Sequence, residues 1–530
     1  MKFNNWKLPI GLLVLAIIFL FFSISANIYI SVFTVSVEKN AEVIVKNGIL
    51  YLHPVDKNYG FAAEVNFRSE YVFASLDLAI FTLITNIELA TVIQLPIGFI
   101  LVLSLLALYK RLEFPGIMPY ILTYLSVTYM LAILYSNYSV FSISMFLLFL
   151  SISLLIKTSK KPSKKDIITL ILILVAMPNY HYTPPFIFLF LPLSFIIYDF
   201  FIKKSKVPII SYNTNMYINI ELTAIVIFIM KIIEGSFLSF YNFQIMVKNF
   251  PIEFFKVINS FLERSSALNP RVSNPVIYYT EILSFLIEIV GMLSFIFLKY
   301  LSKAKKQKRD RFSLIVVLVI FVLVSSIAET LVYFSTPAGL VLSIPRTFQI
   351  FGHLPLICSL LLLNYIGSSS FRKHYLKTIK VLLLFMIFIL IFLKSLGLFA
   401  RIADQNVYYS YSAVLRREDL HIANFIAKNA NYSTLAIYGS GDTIGYIALL
   451  TDINYTSHLF SSLPDVNGAF RADNSNALII LPEKGYRWIF YGVRQQIQAS
   501  QINVLINMLL FAGDKIYDDN FNFVLVLEKT

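Results

Sequence analysis

Apolar runs long enough to cross a bilayer recur from residue 8 to residue 397, and no other feature limits the fold as severely. About 20 consecutive apolar residues cross the hydrocarbon as a helix. In lipid the backbone must satisfy its own hydrogen bonds, which leaves helices and closed barrels. Runs of this length specify helices. Hydrophobic residues make up 58% of the chain. Soluble domains sit nearer about 45–50%, so the composition predicts a polytopic membrane protein.

Spans are predicted at about 8–34, 90–109, 117–136, 139–156, 167–178, 185–202, 216–234, 276–300, 313–334, 346–366 and 377–397. Basic clusters follow the second, fourth, sixth, eighth and tenth of these. They are Lys110–Arg111, Lys157 to Lys165, Lys203 to Lys206, SKAKKQKRDRF (302–312) and FRKHYLK (371–377). The positive-inside rule puts such clusters in the cytoplasm. Eleven spans with a cytoplasmic N-terminus and an outer C-terminus satisfy all five at once. Residues 72–89 carry Asp77 and Glu88, and a twelfth crossing would break the alternation. They are predicted as an amphipathic helix lying along the membrane face. The net charge of +14 is accounted for by these inner loops, which excludes a nucleic-acid partner. The first run is too long for a signal-peptide core and lacks a small-residue cleavage site, so it is expected to remain as a helix. Cys358 is the single cysteine, so no disulfide forms within the chain.

The last 130 or so residues are more polar, with shorter apolar runs. STLAIYG (433–439), NALIILP (476–482) and FNFVLVLE (521–528) read as strands. Residues 417–429 and 491–510 read as amphipathic helices. GSGDTIG (439–445) reads as a strand-to-helix turn. Asn137, Asn431 and Asn454 begin glycosylation sequons, all on the predicted outer side. The expected architecture is mainly α, a polytopic membrane protein of about eleven transmembrane helices over residues 1–399. A small extracytoplasmic α/β domain over 400–530 completes it. Residues 35–89 form an outer loop with its amphipathic helix.

Candidate chemistry gathers on the outer side. The polar segment between the first span and residue 75 holds Glu38, Glu42, Asp56, Glu64 and Glu70, with His53 and Arg68. At most two or three such carboxylates are needed as metal ligands or a general base. His181 lies between Tyr180 and Tyr182 at a span boundary. Arg346 follows Pro345 at the start of the tenth span, where a helix N-terminus favours an anion and a guanidinium fork matches phosphate. Glu329, at the outer end of the ninth span, is an alternative partner for it. Asp199, Glu221, Lys231, Glu234 and Glu281 are placed toward helix ends. The spans are therefore read as lacking mid-membrane charges, which weighs against a proton-coupled carrier. No zinc-type His/Cys spacing, Walker-type loop or internal repeat is present.

Four stretches resemble one family: residues 73–112 (FASLDLAIF through LALYKRL), MPNYHYTPPFIFLFL (177–191), IPRTFQIFGHLPL (344–356) and FAGDKIYDDNFNFVLVLE (511–528). They are similar, respectively, to the outer amphipathic helix and second span, a His/Tyr-bearing outer turn, an Arg-led late span, and closing strands around an "IYD" triplet. Here that triplet is Ile516–Tyr517–Asp518. The layout resembles the GT-C superfamily of membrane glycosyltransferases, in its archaeal branch similar to dolichyl-phosphate-mannose–protein mannosyltransferases. That family has an acidic pair after its first span, where this chain has Glu38–Lys39 and then Glu42.

The resemblance implies a polyprenyl-phosphate-linked sugar as donor, a glycan or protein as acceptor, and membrane lipid around the spans. It implies a catalytic carboxylate among Glu38, Asp56 and Glu70, with Arg68, His181, Tyr182 and Arg346 binding substrate. Metal ligands are not assigned, and a divalent metal ion stays open as cofactor. Two alternatives stand beside this reading: a non-catalytic membrane scaffold of the same layout, and a carrier of a lipid-linked substrate.

Overall fold

The computed structural model describes residues 72–85, 90–134, 138–160, 163–181, 183–202, 214–234, 275–301, 309–335, 345–363 and 372–403. It also describes five short strands and the isolated positions 41, 44, 45 and 425. Helices occupy the positions of predicted spans two to eleven, and the first span lies outside the described residues. They are α1 (Val72–Thr85), α2 (Ala90–Arg111), α3 (Met118–Leu134), α4 (Tyr138–Lys160), α5 (Lys164–Ala176) and α6 (Thr183–Ile202). After these come α7 (Thr214–Glu234), α8 (Pro275–Leu301), α9 (Arg309–Ser335), α10 (Arg346–Phe351), α11 (Leu354–Leu363) and α12 (Arg372–Ala403). A 3-10 turn, Met177–Asn179, joins α5 to α6.

Among the described residues, four helical stretches are long and apolar enough to cross a membrane: Thr183–Phe200, Tyr279–Leu298, Arg346–Leu363 and Tyr375–Ala400. Their burial sets the arrangement. Arg346–Leu363 is 89% buried, whereas Tyr375–Ala400 is 28% buried and Tyr279–Leu298 33%. The α10–α11 segment is thus central, with α8 and α12 packed against it from outside. Their free faces are apolar, with Leu286, Leu293, Phe297, Phe385, Phe388 and Phe399 exposed. Exposed apolar faces of this extent suit helices that meet lipid.

Small residues set the closest approaches. Gly291 of α8 lies against Leu356 of α11, where an added Cβ would stand 2.6 Å from the Leu356 Cβ. At Gly397 of α12 an added Cβ would meet the Thr280 hydroxyl at 2.9 Å. Such contacts let helix backbones approach closely in the absence of a hydrophobic drive between helices.

The predicted tenth span is interrupted. A turn at Gly352–His353 separates α10 from α11. Pro355 sits in the first turn of α11 and has no N–H to return to the preceding turn, which explains a restart there. The segment 72–89, read as one amphipathic helix, holds α1 over Val72–Thr85, with Leu78 and Ala79 buried and Ile80, Leu83 and Ile84 exposed. Between α2 and α3 the chain turns through Glu113 and Gly116, both at φ 59°. Arg111, in the last turn of α2, binds the Ser153 carbonyl and hydroxyl of α4 at 3.2 and 3.1 Å. The basic end of α2 is thereby fixed to its neighbour.

Among the described residues, five strands form one sheet in the order β2-β1-β3-β5-β4. They are β1 (Ala436–Gly439), β2 (Thr456–Leu459), β3 (Ala477–Pro482), β4 (Asp514–Asp518) and β5 (Asn522–Leu527). β1 pairs in parallel with β2 and β3, while β5 runs antiparallel to β3 and β4. The three strands read from the sequence pattern are β1, β3 and β5, and β4 holds the Ile516–Tyr517–Asp518 triplet around which closing strands were expected. β2 was not read, since TSHL has neither alternation nor length. The helices predicted at 417–429 and 491–510, the turn after Gly439 and the three sequon asparagines lie outside the described residues, apart from Phe425.

Candidate functional site

Polar side chains meet where the 3-10 turn, the start of α6 and the start of α10 come together. Ser144 of α4 lies at hydrogen-bond distance from two carbonyls of the turn, Met177 at 3.1 Å and His181 at 3.2 Å. This fixes the backbone that carries His181. Its Nδ1 accepts the N–H of Thr183 at 3.1 Å, capping α6. Pro184 and Pro185 follow, in a first turn that needs few N–H donors. With Nδ1 accepting, the proton of the neutral ring sits on Nε2, which is a donor. Burial first, and the neighbouring Arg346 charge second, hold His181 well below the usual histidine range. The imidazole is therefore neutral.

Arg346 reaches the same place from α10. Its Nη1 donates to the Thr183 hydroxyl at 3.2 Å. Glu329 of α9 caps α10: Oε2 accepts the backbone N–H of Arg346 at 2.6 Å, and Oε1 that of Thr347 at 3.2 Å. The Thr347 hydroxyl donates to the same carboxylate. This corrects part of the expectation for Arg346. The helix N-terminus expected to draw an anion is already occupied by a carboxylate, so an anion here relies on the guanidinium and on His181 Nε2–H. Glu329 and Arg346 do meet, and their contact runs from the carboxylate to the backbone amide.

Two further pairs extend the polar surface, and sequence reasoning assigned neither. Tyr180 donates to Asp77 of α1. Desolvation raises the Asp77 pKa, and the Tyr180 bond offsets part of that rise. Tyr180 is itself pushed up by burial and then by Asp77. On the other side, Lys231 of α7 donates to Asn179 Oδ1 at 2.8 Å. The signal that could have found these pairs is a lone charge in an apolar run: Asp77 in ASLDLAI and Lys231 in FIMKII.

Of the sequence-predicted residues, His181 and Arg346 are brought together through Thr183. Glu38, Asp56, Arg68, Glu70 and Tyr182 lie outside the described residues. Among the described residues no group of three or more His, Cys, Asp and Glu side chains converges as metal ligands.

The helix interior holds a second cluster, and it overturns the expectation that the spans lack mid-membrane charge. Glu288 of α8 and Lys394 of α12 pair at 2.7 Å, with side chains 2% and 10% exposed. His353, at the α10–α11 interruption and fully buried, brings Nδ1 to 3.9 Å from Glu288 Oε1. Lys394 Nζ also donates to the Gln349 carbonyl at 3.1 Å. A hydroxyl chain leads away on the other side. His353 Nε2 lies 3.2 Å from Ser126 Oγ, which donates to the Ile350 carbonyl at 2.8 Å and lies 2.7 Å from the Tyr109 hydroxyl.

No family model and no curated protein matches this chain. The functional reading therefore rests on these two clusters and on the layout of the helices.

Proposed function

We propose that the chain is an integral-membrane glycosyltransferase of the GT-C kind. It would move a sugar from a polyprenyl-phosphate donor to a glycan or protein acceptor outside the membrane. The observation that carries this reading is the meeting of Arg346 and His181 through Thr183 at the ends of α10 and α6. A guanidinium and a neutral imidazole N–H side by side are two donors suited to the oxygens of a lipid phosphate. In transfer they stabilise the charge that develops on the departing phosphate. A carboxylate from Glu38, Asp56 or Glu70 takes the acceptor proton. Eleven spans with the C-terminal residues outside as an α/β domain belong to the same proposal. It draws support from the helices at spans two to eleven and from the five-stranded sheet.

Purified full-length protein is incubated with radiolabelled polyprenyl-phosphate sugars and native membrane extract. Transfer is expected from the wild type. It should be abolished by one of Glu38→Gln, Asp56→Asn and Glu70→Gln with folding intact, and reduced about tenfold or more by Arg346→Lys. No transfer from any donor overturns the reading in favour of the non-catalytic scaffold.

One observation favours a second reading, a carrier. Buried ionisable groups at membrane depth mark pathways in transporters, and interrupted helices often line them. Glu288, Lys394 and the Gly352–His353 interruption have those properties. Movement of a labelled lipid-linked substrate across vesicles, without sugar transfer, would establish it.

A further inference from the structure

The Glu288–His353–Lys394 cluster supports an inference that holds whether or not the chain transfers sugar. Hydrogen bonding fixes the state of the His353 ring. Ser126 has one hydroxyl proton, and the Ile350 carbonyl, which can only accept, takes it at 2.8 Å. The Tyr109 hydroxyl therefore donates to Ser126 Oγ, and so does His353 Nε2. The proton of the neutral ring is on Nε2, and Nδ1 presents a lone pair.

That lone pair is fully buried and has no hydrogen-bond partner. It faces the Glu288 carboxylate 3.9 Å away. Two acceptors oppose each other with no hydrogen between them. Buried nitrogen and oxygen atoms are otherwise almost always paired, so an unpaired one calls for a physical account. Lys394 meets the same Oε1 at 2.7 Å as an ion pair, off the direction of a well-formed hydrogen bond. With Lys394 an ammonium and Glu288 a carboxylate, the cluster is neutral.

We propose that Glu288, His353 and Lys394 form a buried proton-binding site, in which a second ring proton is held between His353 Nδ1 and Glu288 Oε1. On uptake one N–H bond forms at Nδ1 and no other bond breaks. The cluster gains one positive charge. Both ring nitrogens then donate, Nε2 to Ser126 and Nδ1 to Glu288, which closes the gap between α8 and the α10–α11 turn. The new imidazolium repels the Lys394 ammonium, whose other contact is the Gln349 carbonyl of α10. Proton uptake thereby loosens the hold of α12 on the short helix that Arg346 begins.

The surrounding groups are accounted for. From α2 comes Tyr109, which donates to Ser126, and from α3 comes Tyr124, bonded to Ser395 of α12 at 2.6 Å. From α11 comes the buried Cys358 thiol, within electrostatic range of Tyr109. From α9 comes Glu329, committed to Arg346 and Thr347. Among the described charged groups, Glu288 lies 3.9 Å from the His353 ring and Lys394 pairs with that same carboxylate, so these two set its response.

The test is nitrogen NMR of the full chain in lipid nanodiscs, labelled with 15N-histidine. The chain has six histidines, so the ring signals are few. The pair that vanishes in His353→Asn is assigned. The expected result is one protonated ring nitrogen near about pH 8 and two on acidification to about pH 4. In Glu288→Gln the ring should keep a single proton over the same range. A His353 ring with one proton throughout overturns the proposal and leaves a fixed packing network. Two protons at both pH values mean a permanent ion pair, which overturns it as well, as does a Glu288→Gln ring that still titrates. The wild-type measurement decides even if a variant fails to fold.

Discussion

Glu329 caps the helix that Arg346 begins, its Oε2 accepting the Arg346 backbone N–H at 2.6 Å. The same carboxylate takes the N–H of Thr347. One buried side chain of α9 therefore satisfies the first two amides of α10 and sets where Arg346 points. Glu329→Ala leaves those amides buried without acceptors, which costs about 1–3 kcal/mol. Glu329→Gln keeps one oxygen and should cost less. Thermal unfolding in detergent is expected to rank wild type above Glu329→Gln and Glu329→Ala lowest.

The pH response of the His181–Arg346 cluster follows from His181. Its folded pKa lies below the ordinary value of 6.5, through burial and then Arg346. The unfolded chain thus binds more protons in the window just below 6.5. The stability that neutral His181 contributes is present above that value and is lost as pH falls through the window. Melting temperature should decline on acidification from neutral pH, and His181→Gln should flatten the decline. An unchanged slope in the variant would mean that another group titrates there.

The sequence made the helices legible because apolar runs and basic loops are simple signals with a direct physical cause. The positions predicted as spans two to eleven carry helices within a few residues of their expected limits. The interruption at Gly352–His353 was harder to read, because apolarity continues across it and only Pro355 gives it away. At the site, His181 was legible from its place between two tyrosines at a predicted span boundary, and Arg346 from its place after Pro345 at the start of the predicted tenth span. Thr183, which joins them, was not, since a threonine before two prolines is an ordinary helix start. Glu288 and Lys394 carry the same signal as Asp77 and Lys231, a single charge in a long apolar run. What the sequence hides is their pairing, which exists only once α8 and α12 pack together.

Gly291 should tolerate no side chain. A Cβ there would stand 2.6 Å from the Leu356 Cβ and 3.0 Å from its Cα, and backbone cannot rotate away. Gly291→Ala forces α8 and α11 apart and should cost about 1–3 kcal/mol. Gly397→Ala is a fair control. Its Cβ meets the Thr280 hydroxyl at 2.9 Å, and a side chain can shift. Unfolding of both variants in the same detergent should show the larger loss for Gly291→Ala.

The Glu288–Lys394 pair makes the sharpest prediction about stability. Removing one partner strands a charge among buried side chains, a loss of about 3–5 kcal/mol. Glu288→Met and Lys394→Met should each destabilise strongly. The double variant removes both charges and fills the space with flexible apolar chains, so it should recover most of the loss. The two residues touch at 2.7 Å, close enough for strong non-additivity. Lys394 also holds the Gln349 carbonyl, so recovery should stop short of wild type by roughly one hydrogen bond, about 1 kcal/mol. A double variant as unstable as the sum of the singles would show that the two residues do not act as a pair. Full recovery would mean that the Gln349 contact contributes nothing, and that the charges serve something other than holding α12 to α10.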